Sequence, residues 1–106
     1  MENMAPGKKK HIYKIRSKVV PYPGMDAWFF AYVDKKMAET IRKEHSRAKR
    51  GFGSIRVDVT LGKTKWKTSI FPDRRSGTYV LPLKAAVRRA EGIDAGDSVT
   101  FILSIA

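Results

Sequence analysis

The 106-residue sequence contains no cysteine, only two histidines and no long apolar run. The lack of cysteine excludes disulfides, thiolate metal sites and cysteine nucleophiles. The longest apolar run, residues 27–33, has seven residues, whereas a membrane-spanning helix needs about 20. The basic N-terminal residues are not followed by an apolar segment, so no secretory signal is predicted. We expect one domain, a cytoplasmic location and no membrane association.

Acidic residues are also scarce, with ten Asp and Glu against 22 Lys and Arg, for a net charge of +12. Such a surplus attracts polyanions and favours nucleic acid or another anionic ligand as the partner. The alternative is a basic surface that only keeps the protein soluble. Composition alone leaves both interpretations open.

Period-two alternation of apolar and polar residues predicts strands over much of the chain. The clearest strand alternates Ile55, Val57, Val59 and Leu61 with polar residues, and Gly62-Lys63 is typical of a hairpin turn leading to the next strand. The wholly apolar residues 28–33 predict a strand buried on both faces.

Two helices are predicted between these strands. Asp34 is a suitable N-cap for a first helix that runs from Lys35 to about Ala48. In the second helix, Pro82 occupies the first position and Gly92 the left-handed end.

The resulting fold class is mainly β, a small double-split (pseudo)barrel of about six strands capped by two helices. Residues 1–10 are predicted to be a flexible basic tail, and residues 11–106 a single β-barrel domain. The small core is expected to depend on aromatic side chains, namely Trp28, Phe29, Phe30, Trp66, Phe71, Tyr79 and Phe101.

Several motifs in this order resemble a bacterial and archaeal family catalogued as a domain of unknown function. The motifs are Ala27-Trp28-Phe29, Gly51-Phe52-Gly53, Trp66-Lys67-Thr68-Ser69-Ile70-Phe71-Pro72, Tyr79-Val80-Leu81-Pro82-Leu83-Lys84, Val87-Arg88, Gly92-Ile93 and Gly96-Asp97. Members of that family occur alone or fused ahead of YdeI/OmpD-associated modules. The resemblance covers roughly residues 11–106 and implies a compact β-barrel with no established activity.

Residues 81–99 also resemble the half-repeat of AbrB/MazE-type barrels, which dimerise by swapping hairpins and many of which bind DNA. Those chains are roughly half as long as this one. The longer chain is expected to supply both halves itself, so a monomer is favoured over a swapped dimer. The likeness transfers fold more safely than function.

No catalytic, cofactor or metal motif is found, and the chain is not predicted to be an enzyme. His11 and His45 lack a ligand partner at a typical metal-site spacing. Gly51-Phe52-Gly53 precedes a strand rather than a helix, so it is interpreted as a turn and not as a dinucleotide motif.

Two sets of residues are candidates for binding. Lys84 and Arg88 are like charges at helical i, i+4 spacing, which a bound anion between them would stabilise. The first set joins them to a pocket at the barrel mouth, lined by Trp28 and Trp66 and closed by Ser69, Tyr79 and Lys84. The second set is a candidate nucleic-acid track of basic residues, consisting of Lys36, Lys43, Arg47, Arg50, Lys65, Lys67, Arg74 and Arg75.

Each set has a simpler explanation, namely a solvated charged surface and aromatic residues that pack in the core. Three hypotheses therefore stand: a binding domain for an anionic small molecule or peptide, a nucleic-acid-binding barrel, or an accessory domain without a ligand.

Overall fold

The computed structural model describes residues 11–22, 25–45 and 53–105. The predicted tail at residues 1–10 lies outside them. The elements, in chain order, are β1 His11–Tyr22, β2 Met25–Tyr32, α1 Lys35–Glu44, β3 Ile55–Leu61, β4 Thr64–Asp73, β5 Thr78–Pro82, α2 Ala85–Glu91 and β6 Ser98–Ile105.

The six strands form one closed barrel in the order β1-β2-β5-β4-β3-β6. Every neighbouring pair is antiparallel. The two longest strands make the corners: β1 pairs first with β6 and then with β2, and β4 pairs first with β3 and then with β5. A strand shared between two sheets in this way lets them close on a common core. The mainly β class and the six-stranded barrel with two helices are confirmed.

The core follows the predicted alternation on β3 and β6. Ile55, Val57, Val59 and Leu61 are all buried, and β6 buries every second residue from Val99 to Ile105. Phe101, the centre of this β6 row, is completely buried. Period two fixes the buried face of these strands because one side faces the core and the other faces solvent.

The prediction that β2 and Phe71 are buried is wrong at two large aromatic side chains. Trp28 is 50 % exposed and Phe71 is 43 % exposed, whereas Phe30, Tyr79 and Phe101 are buried as expected. Phe29 and Trp66 are partly buried against the core. The helices pack mainly against β5 and β4, so the outer face of the barrel near Trp28 is left open.

The first helix begins where the sequence predicts and ends earlier. The Asp34 carboxylate accepts a hydrogen bond from the Met37 N–H at 3.0 Å, which satisfies one of the free amides of the first turn. Ala38 and Ile41 are its buried residues. The helix ends at Glu44 rather than near Ala48, with His45 as C-cap.

The predicted start of the second helix is also wrong. Pro82 is the last residue of β5, and the helix begins at Ala85 with Lys84 as its N-cap. The chain stays extended past Pro82 because the Leu83 N–H donates to the Phe29 carbonyl at 2.8 Å. Gly92 ends the helix in the left-handed conformation, at φ 63°, as predicted.

Candidate ligand-binding site

A cavity of about 380 Å³ opens on the outside of the barrel, beside the exposed Trp28 and Phe71. Its walls come from β2, β4, the end of β5 and the start of α2. The lining residues are Trp28, Phe29, Thr68, Phe71, Pro82, Leu83, Lys84 and Ala85. This volume falls within the range of small-molecule pockets. The mix of an apolar wall with a hydroxyl and one cation suits an apolar ligand with a polar or anionic end.

Backbone pairing between β2 and the end of β5 fixes this cavity. Phe30 and Pro82 face each other in the register, and the Leu83 N–H donates to Phe29 O. Pro82 offers no backbone N–H, so the Leu83 N–H supplies the last bond between these two segments before the chain turns into α2. Lys84 is thereby placed at the junction, on the wall of the cavity.

Lys84 is the cation of this cavity. Its side chain is exposed and forms no cap hydrogen bond, although it is the N-cap residue of α2. N-cap positions normally carry a side-chain acceptor for the free amides of the first turn. A lysine cannot accept those bonds, so this position does not stabilise the helix in the usual way.

Arg88, the predicted partner of Lys84, is not among the residues that line this cavity. The guanidinium carbon lies 4.0 Å from the centroid of the Phe29 ring, a cation–π distance. Arg88 Nε also donates to the Leu83 carbonyl at 3.2 Å. The arginine is therefore engaged in holding α2 against β2 and does not line the cavity.

Of the other predicted pocket residues, only Trp28 lies at the cavity. Trp28 lines the cavity, whereas Tyr79 is 1 % exposed in the barrel core and Ser69 pairs with Arg56 across β3 and β4. Neither Tyr79 nor Ser69 is among the residues that line the cavity. Trp66 packs against the core, and its Nε1 is a buried polar atom with no hydrogen-bond partner in the part of the chain that the structure describes.

Six of the eight lining residues were not predicted as site residues, and two of these, Thr68 and Phe71, lie on β4. Phe71 was assigned to the core because it is large and apolar, and Thr68 was taken only as part of an alternating strand. The one available signal was the Phe71-Pro72 pair, since a proline within a strand favours an edge or an irregular position.

The described residues of the predicted nucleic-acid track lie on α1 and on β4 with the loop that follows it. Lys36 and Lys43 are exposed on α1, while Arg47 and Arg50 lie outside the described residues. Lys65, Lys67, Arg74 and Arg75 are exposed on β4 and the loop after it. Lys67 forms an ion pair with Asp58 at 3.0 Å.

The register adds a basic row that was not included in the predicted track. Lys14, Arg16 and Lys18 are exposed on the outer face of β1. Lys14 faces Ile102 of β6, Ile102 faces Thr60 of β3, and Thr60 faces Lys65 of β4. The outer face of these four strands thus carries basic residues along both of its sides, on β1 and on β4.

A cluster of polar side chains lies where the start of β1 meets the end of α1. The Tyr13 hydroxyl donates to the Glu44 carboxylate and is 2.8 Å from His45 Nε2. The rings of His11 and His45 meet edge to face at 4.9 Å between centroids. The prediction that the two histidines have no ligand partner was based on sequence spacing alone, and the fold brings them together.

Burial shifts the pKa values of two members of this cluster, Tyr13 and His45. It raises the pKa of Tyr13 far above its usual range, and the hydrogen bond to Glu44 adds to the effect. Burial also lowers the pKa of His45, helped by repulsion from His11, while the Glu44 charge acts in the opposite direction. His45 is 4 % exposed, which favours its neutral form.

Comparison with known protein families agrees with the sequence motifs. The family model described as Domain of unknown function (DUF1905) matches residues 16–103. The chain belongs to this family. The match covers β2 to β5 and both helices in full, together with β1 from residue 16 and β6 up to residue 103, and it includes the walls of the cavity. A search of curated proteins found no significant match. Within the described residues, no helix is both long and apolar enough to cross a membrane.

Proposed function

We propose that this DUF1905 domain is a binding module for an organic anion with a flat apolar body, held in the cavity beside Trp28 and Phe71. The observation that carries the proposal is the pairing of two exposed aromatic side chains with Lys84 on one cavity wall. The proposal keeps Lys84 and Trp28 from the predicted set and leaves out Arg88, Ser69 and Tyr79.

The aromatic residues supply the apolar part of recognition. Exposed side chains as large as Trp28 and Phe71 are unfavourable in water unless a ligand or partner covers them. Their presence in one concave site, rather than scattered over the surface, supports a small-molecule ligand. A planar ligand ring can stack on an aromatic side chain, which typically adds about 0.5–1.5 kcal/mol to the stabilisation that comes from the buried apolar area.

Lys84 supplies the charge selectivity. It has no acidic partner among the ion pairs of the described residues, and its ammonium group can reach over the cavity that it lines. A hydrogen bond from a charged donor to a ligand carboxylate is worth about 1.5–3 kcal/mol. An anionic ligand should therefore bind about tenfold more tightly than a neutral ligand of the same shape.

The test is a titration of the ¹⁵N-labelled protein with 2-naphthoate, followed by NMR. 2-Naphthamide serves as the neutral analogue and acetate as the anion without a ring. We expect 2-naphthoate to shift the Trp28 indole and the backbone amides of Lys84 and Ala85, and to bind more tightly than either control. Equal affinity for the acid and the amide, or shifts located elsewhere, would overturn the proposal.

Variants separate the contribution of the Lys84 charge from that of the Trp28 ring. Lys84→Met should weaken 2-naphthoate about tenfold and leave 2-naphthamide unchanged, whereas Trp28→Ala should weaken both. Lys65→Met, which removes an exposed lysine of β4 away from the cavity, is the matched control and should change neither. Weakening by Lys65→Met equal to that by Lys84→Met would mean that only the overall charge matters.

A second candidate function, nucleic-acid binding, is supported by the basic rows on β1 and β4. Lys14, Arg16 and Lys65 lie on one continuous outer sheet face with Ile102 and Thr60 between them. Such an arrangement can contact phosphates on both sides of a strand. Among the described residues, the exposed aromatic side chains Trp28 and Phe71 are at the cavity, and Tyr22 is the last residue of β1. The row of basic residues therefore offers charge without the row of aromatic side chains on which single-strand binders stack bases.

The competing functions give different salt responses. Binding of labelled DNA or RNA through six to ten phosphates weakens by about 10³- to 10⁵-fold between 50 and 200 mM salt. A Lys14→Glu/Arg16→Glu variant should abolish such binding, while Lys36→Glu/Lys43→Glu on α1 provides a charge-matched control. No binding at 50 mM salt, or equal loss in both variants, would count against this face as a nucleic-acid site.

A further inference from the structure

The polar cluster at the junction of β1 and α1 has the composition of a metal site. His11 is the first residue of β1, and Glu44 and His45 are the last residue and the C-cap of α1. One ligand atom from each of these three residues lies within 4.8 Å of the other two. The fold therefore brings together two imidazoles and one carboxylate from the start of β1 and the end of α1.

We propose that His11, Glu44 and His45 bind a divalent transition-metal ion of the zinc class. Two imidazoles and one carboxylate are a ligand set that zinc accepts, and three protein ligands leave one coordination position open. Mg²⁺ and Ca²⁺ prefer sites built from oxygen ligands. This site is separate from the aromatic cavity and independent of the function proposed for it.

The distances favour an ion over a direct contact between His11 and Glu44. His11 Nδ1 is 3.7 Å from Glu44 Oε1, which is too long for a hydrogen bond. Ligand atoms bound at about 2.0–2.2 Å to one tetrahedral ion lie about 3.3–3.6 Å apart. The three ligand atoms now lie up to 4.8 Å apart, so side-chain movements of about 1 Å would bring them to the distances found around one ion.

The two ligands that have to move, His11 and Glu44, are the exposed ones. The His11 and Glu44 side chains are each 45 % exposed, so they can adjust and an ion can enter from solvent. His45 is almost fully buried and is positioned by Tyr13. One buried, oriented ligand with two adjustable ones gives a site that is partly built before the ion arrives.

Tyr13 acts as a positioning residue for this site. Its hydroxyl donates to the Glu44 carboxylate and contacts His45 Nε2, so it links two of the three ligands. Hydrogen bonds of this kind orient metal ligands, and their loss typically lowers metal affinity about 10- to 100-fold. The hydroxyl is at the edge of the site because β1 directs Tyr13 towards the core and His11 lies two residues before it on the same side.

The net charge of +12 opposes cation binding, and Glu44 supplies only one negative charge. We therefore expect micromolar affinity rather than the much tighter binding of structural zinc sites. Salt screens the repulsion between the basic protein and the cation, so the affinity for the metal ion should rise with salt concentration. A nucleic-acid site would show the opposite response to salt.

The chain suits a direct test because it has two histidines and no cysteine. Zn²⁺ is titrated into the untagged full chain by calorimetry, with Mg²⁺ as the control ion, and Co²⁺ is added in parallel to record its visible absorption. We expect one Zn²⁺ per chain at micromolar affinity, a Co²⁺ spectrum with nitrogen ligands and no heat with Mg²⁺. Absence of Zn²⁺ binding below about 1 mM would overturn the proposal.

Variants of the two exposed ligands test the site without removing a buried side chain. His11→Ala and Glu44→Gln should each weaken Zn²⁺ binding at least about tenfold, and both should remain folded because neither side chain is buried. Glu39→Gln, an exposed carboxylate of the same helix, is the control and should bind Zn²⁺ like the wild type. Unchanged affinity in His11→Ala, or equal weakening in Glu39→Gln, would show that these ligands do not form the site.

Discussion

Glu91, the last residue of α2, accepts a hydrogen bond from the backbone N–H of Lys63 at 3.2 Å. Lys63 is in the turn between β3 and β4, and the Thr64 hydroxyl next to it donates to the same carboxylate oxygen. One side chain thus ties the second helix to the β3–β4 hairpin across 28 residues of sequence. These hydrogen bonds position the C-terminal end of α2. The bond from the Leu83 N–H to the Phe29 carbonyl positions its N-terminal end.

Removal of the Glu91 carboxylate should destabilise the whole domain. Glu91→Ala leaves the Lys63 N–H and the Thr64 hydroxyl without their acceptor, so we expect a loss of about 1–3 kcal/mol in the free energy of unfolding. Glu91→Gln keeps an acceptor and should lose less than half as much. Urea denaturation measures both, with Glu39→Ala as an exposed control. An equal loss in the Ala and Gln variants would mean that the negative charge of the carboxylate is needed and that a neutral acceptor does not replace it, and no loss in Glu91→Ala would contradict the prediction.

Gly62 is coupled to Glu91. It adopts φ +60°, and a Cβ at this position would be 2.0 Å from Glu91 Oε1. Gly62→Ala should therefore cost the left-handed strain of about 1–2 kcal/mol and, in addition, the Glu91 hydrogen bonds. Gly77→Ala, at φ +73° in open space, should cost the strain alone.

A double-mutant cycle tests this coupling. In a Glu91→Ala background, Gly62→Ala should cost no more than Gly77→Ala does in the wild type, because the displaced carboxylate is already absent. Additive effects of Gly62→Ala and Glu91→Ala in urea denaturation would contradict the coupling.

The sequence predicted those parts of the fold in which local pattern and tertiary environment agree. Alternation located β3 and β6 because a strand with one solvated face has a periodic composition. Asp34 and Gly92 marked helix ends because their caps depend on residues that are close in sequence. The closed order of strands was expected only as a class of fold, since strand order depends on contacts between distant segments.

The site was predicted less well because it depends on such distant contacts. Trp28 and Phe71 were assigned to the core by hydrophobicity, although nothing in their own sequence shows that the outer face is left uncovered there. Arg88 was assigned to an anion because its partner Phe29 is far away in the chain. His11 and His45 are 34 residues apart, and their proximity follows from α1 ending beside the start of β1.

Trp66 offers a test of an unpaired polar atom. Its indole Nε1 is buried and lacks a hydrogen-bond partner among the described residues, a situation that costs about 1–3 kcal/mol. Trp66→Phe removes that cost while it loses part of the buried ring, so we expect a net change below about 1 kcal/mol. Phe101→Leu, at a fully buried position without a polar group, should lose more in the same urea experiment. A Trp66→Phe loss as large as that of Phe101→Leu would indicate that the N–H is satisfied in solution.

The closed strand order predicts a monomer. Each of the six strands has two neighbours within the same chain, so the described strands leave no free sheet edge for pairing with a second copy. Light scattering coupled to size-exclusion chromatography should give the chain mass of 12.0 kDa over a wide concentration range. A mass twice as large would point to a dimer that uses another surface, for which the exposed Trp28 and Phe71 are the first residues to substitute.

Substitution of Arg88 should lower the stability of the domain, whereas substitution of Lys84 should change it little. If the two cations only repelled each other, removal of either would raise stability by a few tenths of a kcal/mol. Arg88 instead lies over the Phe29 ring and donates to the Leu83 carbonyl. Arg88→Met should therefore lower the free energy of unfolding by about 1–2 kcal/mol.

Two further variants complete this comparison. Arg88→Lys should recover little of the lost stability, because an ammonium group lacks the planar guanidinium that stacks on the ring. Lys84→Met should stay within about 0.5 kcal/mol of the wild type, since its exposed side chain makes no cap hydrogen bond. The result that would contradict this assignment is a larger loss from Lys84→Met than from Arg88→Met in urea denaturation. With the expected order, Arg88 stabilises the wall of the cavity and Lys84 remains available to a ligand.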